Sequence, residues 1–279
     1  MSTDVFDGKV VFITGAASGI GRALAAALAK RSATLLLADI DADLLERTAW
    51  ALGGEANDVH VFPLDVRKSS QWEHVVAEVY GRFDHVDYFF NNAGIAVAGL
   101  VRDTPIEDWE RLFDVNVLGV VRGVDAFYPR MRDQGHGHII NTASISGLVP
   151  TSLMAAYSAS KHAVVAFSET LRAEAKGDGI DVSVVCPGII DTPMAHTTEL
   201  RGADGTDSVL AKLPNPPFSV EEAVEQMLRG VERKRGIIVI TREAYALWRL
   251  YRASPEAVLR VNEKTVRFLR RLTGATARR

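Results

Sequence analysis

In the segment AAYSASKHAVV, residues 155–165, a tyrosine and a lysine stand four positions apart. On a helix, positions i and i+4 lie on one face a turn apart, so Tyr157 and Lys161 can bring a phenol and an ammonium together. A free phenol titrates near pH 10 and is a poor base at neutral pH unless a nearby cation stabilises the phenolate. Lys161 is that cation in this reading, and Tyr157 then becomes a group able to take a proton from a hydroxyl or return one. Taken alone, the pair is weak: Y-x-x-x-K is common by chance and usually describes a partly buried aromatic beside a solvated lysine. Of the six tyrosines, however, only Tyr157 has lysine at the fourth following position.

The elements that must position this pair are legible as an alternation. Short apolar runs (KVVFIT, TLLLAD, VHVFPLD, VDYFFNNAG, HIINTAS, DVSVVCPG) are separated by longer amphipathic segments, including one long helix across residues 106 to 133. This is the pattern of a parallel sheet with helices on both faces. GIIVI adds a seventh strand, and Ser219 with Glu222 forms a capping-box signature for the helix before it. The expected fold class is α/β, a doubly wound parallel sheet of about seven strands of Rossmann type, whose ligands bind outside the carboxyl ends of the strands. Residues 1–279 are expected to form one catalytic domain, with 241–279 as a helical C-terminal extension of it. The segment DTPMAHTTELRGADGTDSVLAKLPNPPF breaks the alternation and is a cover over a pocket or a tolerated surface insertion, its position after the sixth strand favouring the cover.

Gly15, Gly19 and Gly21 fall between the first strand and the first helix. Glycines there permit a tight turn and close approach of the backbone to a pyrophosphate, whose charge the helix N-terminus favours. Asp39 closes the second strand, where dinucleotide-binding folds place a carboxylate that accepts hydrogen bonds from ribose hydroxyls. The same carboxylate would repel the extra phosphate of NADP, and no Arg or Lys stands beside it to compensate, so NAD is the expected cofactor. Asp39 has a second reading as a helix N-cap, and Asp41 could supply that cap equally well. Asp65 in PLDV could contact an adenine edge or serve only as a turn former.

Together these stretches resemble the short-chain dehydrogenase/reductase family, over roughly residues 8 to 240. TGAASGIG resembles its cofactor turn, NNAG its fourth-strand motif, YSASK its active-site motif and PGIIDTPM its loop beside the nicotinamide. The resemblance implies a catalytic group of Asn116, Ser144, Tyr157 and Lys161. Ser144 would orient the substrate oxygen, Lys161 would also touch the nicotinamide ribose, and Asn116 would connect Lys161 to a water path. It also implies a cofactor pocket. The first turn would supply Gly15, Ser18, Gly19, Ile20 and Gly21, followed by Asp39 and then by Asp65 and Val66. Asn92, Ala93 and Gly94 would line it further along, with Tyr157 and Lys161, and Pro187, Gly188, Ile190 and Thr192 would complete the nicotinamide side. Relatives pair through the long helices beginning near Ile106 and Ala155, so a homodimer or homotetramer is implied.

Composition limits the remaining readings. Hydrophobic residues at 47% and charged residues at 24% are near globular averages and argue against a disordered or fibrous chain. No basic start followed by an apolar run opens the sequence, and no apolar stretch has membrane-spanning length, so a cytoplasmic protein is expected. Cys186, the one cysteine, reads as an inert core thiol. His136 and His138 in GHGH have no nearby cysteines or carboxylate cluster and read as a turn entering a strand, so no metal is expected. His162 is expected to point away from Lys161.

The net charge of −3 conceals an asymmetry, because residues 229–279 hold 14 Lys or Arg against 4 Asp or Glu. From Pro255 onward, Arg260, Lys264, Arg267 and Arg271 fall on one helix face and Val258, Leu259, Val266, Leu269 and Leu272 on the other. The apolar side is expected to pack on the core or a second subunit, or to cover a substrate pocket together with Tyr245, Trp248 and Tyr251. The basic side is a solvated face, or a contact for an anionic membrane surface or an acidic carrier; nucleic acid is excluded because the rest of the chain is acidic. Ile95, Val97, Leu148, Val149, Leu153 and Met154 near the expected mouth suggest a hydrophobic substrate. The sequence therefore points to an NAD-dependent oxidoreductase interconverting a secondary alcohol and a ketone. The alternatives are an NADP(H)-dependent ketone or ketoacyl reductase and a dinucleotide-sensing protein without catalysis.

Overall fold

The structure, a computed structural model, describes residues 4–53, 58–198, 200–202 and 217–272, with side chains to residue 267. Seven parallel strands form the main sheet. In chain order they are β1 (Val10–Thr14), β2 (Thr34–Asp39), β3 (Val59–Pro63), β4 (Tyr88–Asn91), β6 (Gly137–Thr142), β7 (Ile180–Pro187) and β9 (Ile237–Ile240). Their order across the sheet is β3-β2-β1-β4-β6-β7-β9. The chain builds outward from β1 to β3, then crosses back to place β4 on the other side of β1. That reversal opens a crevice at the carboxyl ends of β1 and β4. Two further short strands, β5 (Ala98–Gly99) and β8 (Leu200–Arg201), pair with each other apart from the main sheet.

Alternation along the strands sorts side chains into two cores. Val11 and Ile13 of β1, with Leu35 and Leu37 of β2, face α1 (Gly19–Ala29) and α8 (Val220–Glu232). Val10 and Phe12, with Leu36 and Ala38, face the opposite layer, built by α3 (Ser69–Arg82) and α5 (Gly119–Gln134). A strand buried on both faces in this way reads as a near-continuous apolar run. Local signals set the helix ends. Asp41 Oδ1 accepts the Leu44 N–H at 2.9 Å and so caps α2 (Ala42–Ala51). Gly135 ends α5 in the left-handed conformation, φ 77°. Ser219 Oγ accepts the Glu222 N–H at 3.4 Å, and it is Glu221, not Glu222, whose carboxylate meets the Ser219 hydroxyl.

The long helix expected over 106–133 is one continuous path with an interruption. α4 (Ile106–Phe113) passes into α5 through a wide π-type turn over Asp114–Leu118. No residue type marks such a turn, so the sequence pattern shows only a long helix. After β9 come α9 (Arg242–Ala253) and α10 (Pro255–Leu272), the two helices expected of the tail.

The α3–α5 layer is dominated by aromatic rings. Phe127 of α5 lies 4.6 Å from Phe89, 4.7 Å from Phe12 and 6.2 Å from Trp72, measured between ring centres. Gly123 lets these rings close, since a Cβ there would sit 2.9 Å from the Phe89 ring. Truncating such a ring removes its burial and leaves a cavity, so Phe127→Ala is expected to cost about 3–5 kcal/mol of stability. Urea unfolding checks this, and a loss under about 1 kcal/mol would contradict the packing described.

Candidate active site

Tyr157 and Lys161 sit in the first two turns of α6 (Ala155–Ala175). The helix carries Lys161 back against the carboxyl end of β6, where the residue is 3% exposed and its ammonium donates to the Thr142 carbonyl at 2.9 Å. Burial opposes its charge and lowers its pKa to about 8. An ammonium has three N–H donors, and among the described residues only Thr142 accepts one. Nζ lies 5.8 Å from the centre of the Tyr157 ring.

Burial raises the pKa of Tyr157, a hydrogen bond with the Ser144 hydroxyl lowers it, and the Cys186 thiol raises it. Ser144 is thus a residue whose hydrogen bond favours ionisation of the phenol. Ser144 follows β6 in extended conformation, and its Oγ also accepts the Ser146 N–H at 3.1 Å.

Asn116 lies in the π-type turn and is wholly buried. Its Nδ2 donates to the Ile95 carbonyl at 3.0 Å and to Ser160 Oγ at 3.1 Å, while its Oδ1 accepts the Ile95 N–H at 2.9 Å. The side chain thus clamps the peptide that follows Gly94. A Cβ on Gly94 would stand 3.2 Å from Asn116 Oδ1 and 3.3 Å from Lys161 Nζ, so these three positions converge, and glycine keeps the space beside the ammonium open.

The glycine turn lies across the crevice. Gly15 and Gly19 have φ of 66° and 52°, and a Cβ on Gly21 would fall 2.0 Å from the Gly15 carbonyl oxygen. Ser18 precedes α1 without a side-chain cap, so the first-turn N–H groups of Gly19, Ile20 and Gly21 receive no acceptor from it, as at any helix start open to an anion. Asp39 is not the cap of α2. Its Oδ2 accepts the Ala17 N–H at 3.0 Å and its Oδ1 the Asp41 N–H at 3.1 Å, fixing the glycine turn to the end of β2. Asn92 and Ala93 are held by Thr14, whose Oγ1 accepts both N–H groups at 2.9 and 3.0 Å.

Other expected pocket residues are placed with more local partners. Asp65 grips Arg67, with both carboxylate oxygens taking guanidinium N–H groups at 2.7–3.1 Å, and its pKa is lowered by that pair. Val66 is buried against Gly119. Pro187 ends β7, and the Gly188 N–H donates to Ile240 at 3.2 Å. Ile190 is buried beside Phe218, and Thr192 opens the short helix α7 (Pro193–Thr197), with its side chain toward Gly19.

The residues present fit a dinucleotide. The glycine cradle admits backbone approach, α1 points its free N–H groups into it, and a buried ammonium retains two unmatched donors next to Gly94. A family model described as short chain dehydrogenase matches residues 9–201. The chain belongs to the short-chain dehydrogenase family. Probable oxidoreductase EphD of Mycobacterium tuberculosis is 34% identical over 263 residues, 91% of this chain. This short-chain dehydrogenase spans 44% of that protein, less than half the length of the curated relative it matches. Putative oxidoreductase SadH of the same organism is 39% identical over 254 residues, covering 87% of this chain and 89% of that protein. Among solved structures, a short-chain dehydrogenase/reductase from Burkholderia phymatum in complex with NAD superposes with a TM-score of 0.80 at 33% identity, covering 90% and 95% of the two chains. Membership of this family and its Rossmann-type sheet are therefore shown.

Sequence reasoning missed Thr142, Ser160 and Thr14. Ser160 carried a signal, since it stands three positions after Tyr157 on the same helix, but its partner is 44 residues away. Thr142 acts through its backbone carbonyl, which no residue identity reveals. Around the mouth, Val97 and Val149 are buried in packing and are not available to a ligand, whereas Ile95, Leu148, Leu153 and Met154 are partly open. Leu153 is held at φ 63°, and its carbonyl accepts the Gly99 N–H at 2.6 Å. His162 bonds the Ser158 carbonyl at 2.9 Å, in place of any active-site role.

The tail reaches this same loop. Asn262 of α10 donates to the Pro150 carbonyl at 2.8 Å, and Ser152 Oγ donates to the Asn262 carbonyl at 3.3 Å. Val258 is buried, but Leu259 is exposed, a correction to the expected apolar face: it lies about 100° around the helix from Val258. Arg260, Lys264 and Arg267 are exposed, while Arg271, Leu269 and Leu272 have side chains outside the described residues. Trp248 and Tyr251 are half-buried and Tyr245 exposed. Residues 199 and 203–216 of the expected cover also lie outside the described residues. No helix among the described residues is long and apolar enough to cross a membrane.

Since Gly21 has no room for a side chain, Gly21→Ala is expected to force the turn apart and weaken dinucleotide binding at least about tenfold, roughly 1.4 kcal/mol. Fluorescence titration with NADH measures it, and unchanged affinity would contradict the close approach assigned to this turn.

Proposed function

We propose that this short-chain dehydrogenase interconverts a secondary alcohol and a ketone, with NAD as its cofactor. The observation that carries the reading is the convergence of Ser144 on the Tyr157 phenol beside a buried Lys161 whose ammonium has donors to offer. When bound, the nicotinamide supplies the hydride acceptor or donor. Tyr157 moves the proton at the substrate oxygen, accepting it from the alcohol or returning it to the ketone. Ser144 holds that oxygen and stabilises charge developing on it. Lys161 keeps a positive charge at the base of the site and binds ribose hydroxyls through its unmatched N–H groups. Asn116 fixes the Ile95 peptide, and with it the floor on which the cofactor would lie.

The NAD preference rests on Asp39. Each of its oxygens takes one backbone N–H and retains capacity for a ribose hydroxyl, and a further phosphate at that position would meet a carboxylate. The NAD-bound structural neighbour supports the same choice. The hydrogen bonds between α10 and the 150–152 loop support a further part of the reading, that the C-terminal helices form one wall of the substrate pocket within a single catalytic domain. Exposed Ile106 and Leu118 on the α4–α5 path support self-association through those helices.

Turnover of a panel of hydrophobic secondary alcohols and their ketones with NAD(H) and with NADP(H) tests the proposal. Activity is expected with NAD(H), at least about tenfold above NADP(H), and Tyr157→Phe is expected to lose at least about 100-fold in kcat while retaining NADH affinity. A clear NADPH preference would defeat the role given to Asp39. Cofactor binding without turnover on any substrate would favour a dinucleotide sensor instead.

A further inference from the structure

At the opposite end of the sheet, the amino-terminal ends of β1, β4 and β6 lie side by side, because β4 pairs with both of the others. Asp87 immediately precedes β4, His85 stands two residues earlier, His136 immediately precedes β6, and Lys9 precedes β1. The spacing in sequence associates His136 with His138, but the strand separates them. His138 turns inward, meets Ser183 Oγ at 2.8 Å and is held neutral by burial, with its pKa pushed down to about 4. His136 remains outside and faces Asp87.

Asp87 is 6% exposed and is held rigidly: its Oδ2 accepts the Val10 N–H at 3.0 Å. His85 Nε2 lies 3.2 Å from Oδ2 and His136 Nε2 3.7 Å from Oδ1. One ligand atom from each of the three residues falls within 4.8 Å of the other two. The tautomer of His136 is constrained by its other nitrogen. Nδ1 is 3.2 Å from the Gln134 carbonyl, an acceptor only, so Nδ1 carries the proton. In the neutral ring Nε2 then presents a lone pair on the side of the Asp87 carboxylate, an arrangement in which one cation can be shared by both groups. The 3.7 Å separation exceeds the roughly 2.7–2.9 Å of a charge-assisted hydrogen bond. It is nearer the roughly 3.3 Å between two ligands each about 2.0–2.1 Å from a tetrahedral zinc ion. A backbone carbonyl bonded to the distal nitrogen is also the usual support of a ligating imidazole.

We propose that His85, Asp87 and His136 bind a divalent transition-metal ion, zinc by their ligand chemistry, far from the dinucleotide crevice and with water completing its coordination. Two imidazoles and a carboxylate suit zinc better than calcium or magnesium, which favour oxygen. The ion would fasten the loops entering β4 and β6 to each other. Lys9 competes for the site, because its ammonium contacts Asp87 Oδ1 at 3.0 Å. Its side chain is 43% exposed and can withdraw into water when an ion binds.

The test is calorimetric titration of the full chain, stripped with chelator, with zinc chloride at pH 7.5, together with thermal unfolding. Saturable binding of one ion per chain and a higher unfolding temperature are expected. His85→Ala and His136→Ala should each weaken binding at least about tenfold. Lys9→Met should strengthen it, a gain that a purely structural charge cluster would not give. The two histidines are substantially exposed, and unfolding without zinc verifies that each variant is folded. Absence of saturable binding, or binding untouched by both histidine substitutions, would overturn the proposal.

Discussion

Burial of one ammonium organises the site. Lys161 is carried by α6 to the end of β6, where burial disfavours its charge and a single backbone carbonyl meets it. A lysine in that position needs acceptors, and the fold supplies an open space beside it through Gly94 and keeps that space in shape through Asn116. The phenol of Tyr157 experiences the opposite sign of the same effect, since burial disfavours its anion. Both groups thus resist ionisation, and the Ser144 hydroxyl offsets this for the phenol.

The topology explains why these groups meet. Reversal of strand order at β1 and β4 creates the crevice, and the glycine turn, the Asn92–Gly94 segment, Ser144 and the Gly188–Thr192 loop all follow strands at that carboxyl end. Thr14 and Asp39 join them from beneath through backbone N–H groups, so the crevice walls are tied to one another by hydrogen bonds that involve no ligand. The opposite end of the sheet carries a different kind of order, in which Asp87 gathers Lys9, His85 and His136 from the segments that enter β1, β4 and β6.

Most of the sheet was legible in the sequence because its strands are buried on both faces and bounded by turn residues. TLLLAD and the Asp41-capped helix after it are examples. The site was legible where chemistry is local: Tyr157 and Lys161 share a helix, and the glycines share a turn. It was not legible where position depends on register or on backbone atoms. The π-type turn at Asn116 adds one residue to an otherwise regular amphipathic pattern, the partner of Lys161 is a carbonyl, and the neighbours of His136 come from another strand. The direction of Lys161 also escaped the sequence, since the i+4 rule places it near the phenol but leaves open which acceptor its long side chain selects.

The pKa of Lys161 gives the central claim its most direct measurement. Its pKa falls from 10.5 in a solvated lysine to about 8 in the fold, so its protonated form costs stability below about pH 8 and that cost fades as pH rises toward 10.5. The site uses the charged form. The pH dependence of kcat/KM for NADH in ketone reduction, which reports groups of the free enzyme, should therefore be level through neutrality and fall above about pH 8. A profile that stays level to about pH 10 would contradict a catalytic role for the buried ammonium.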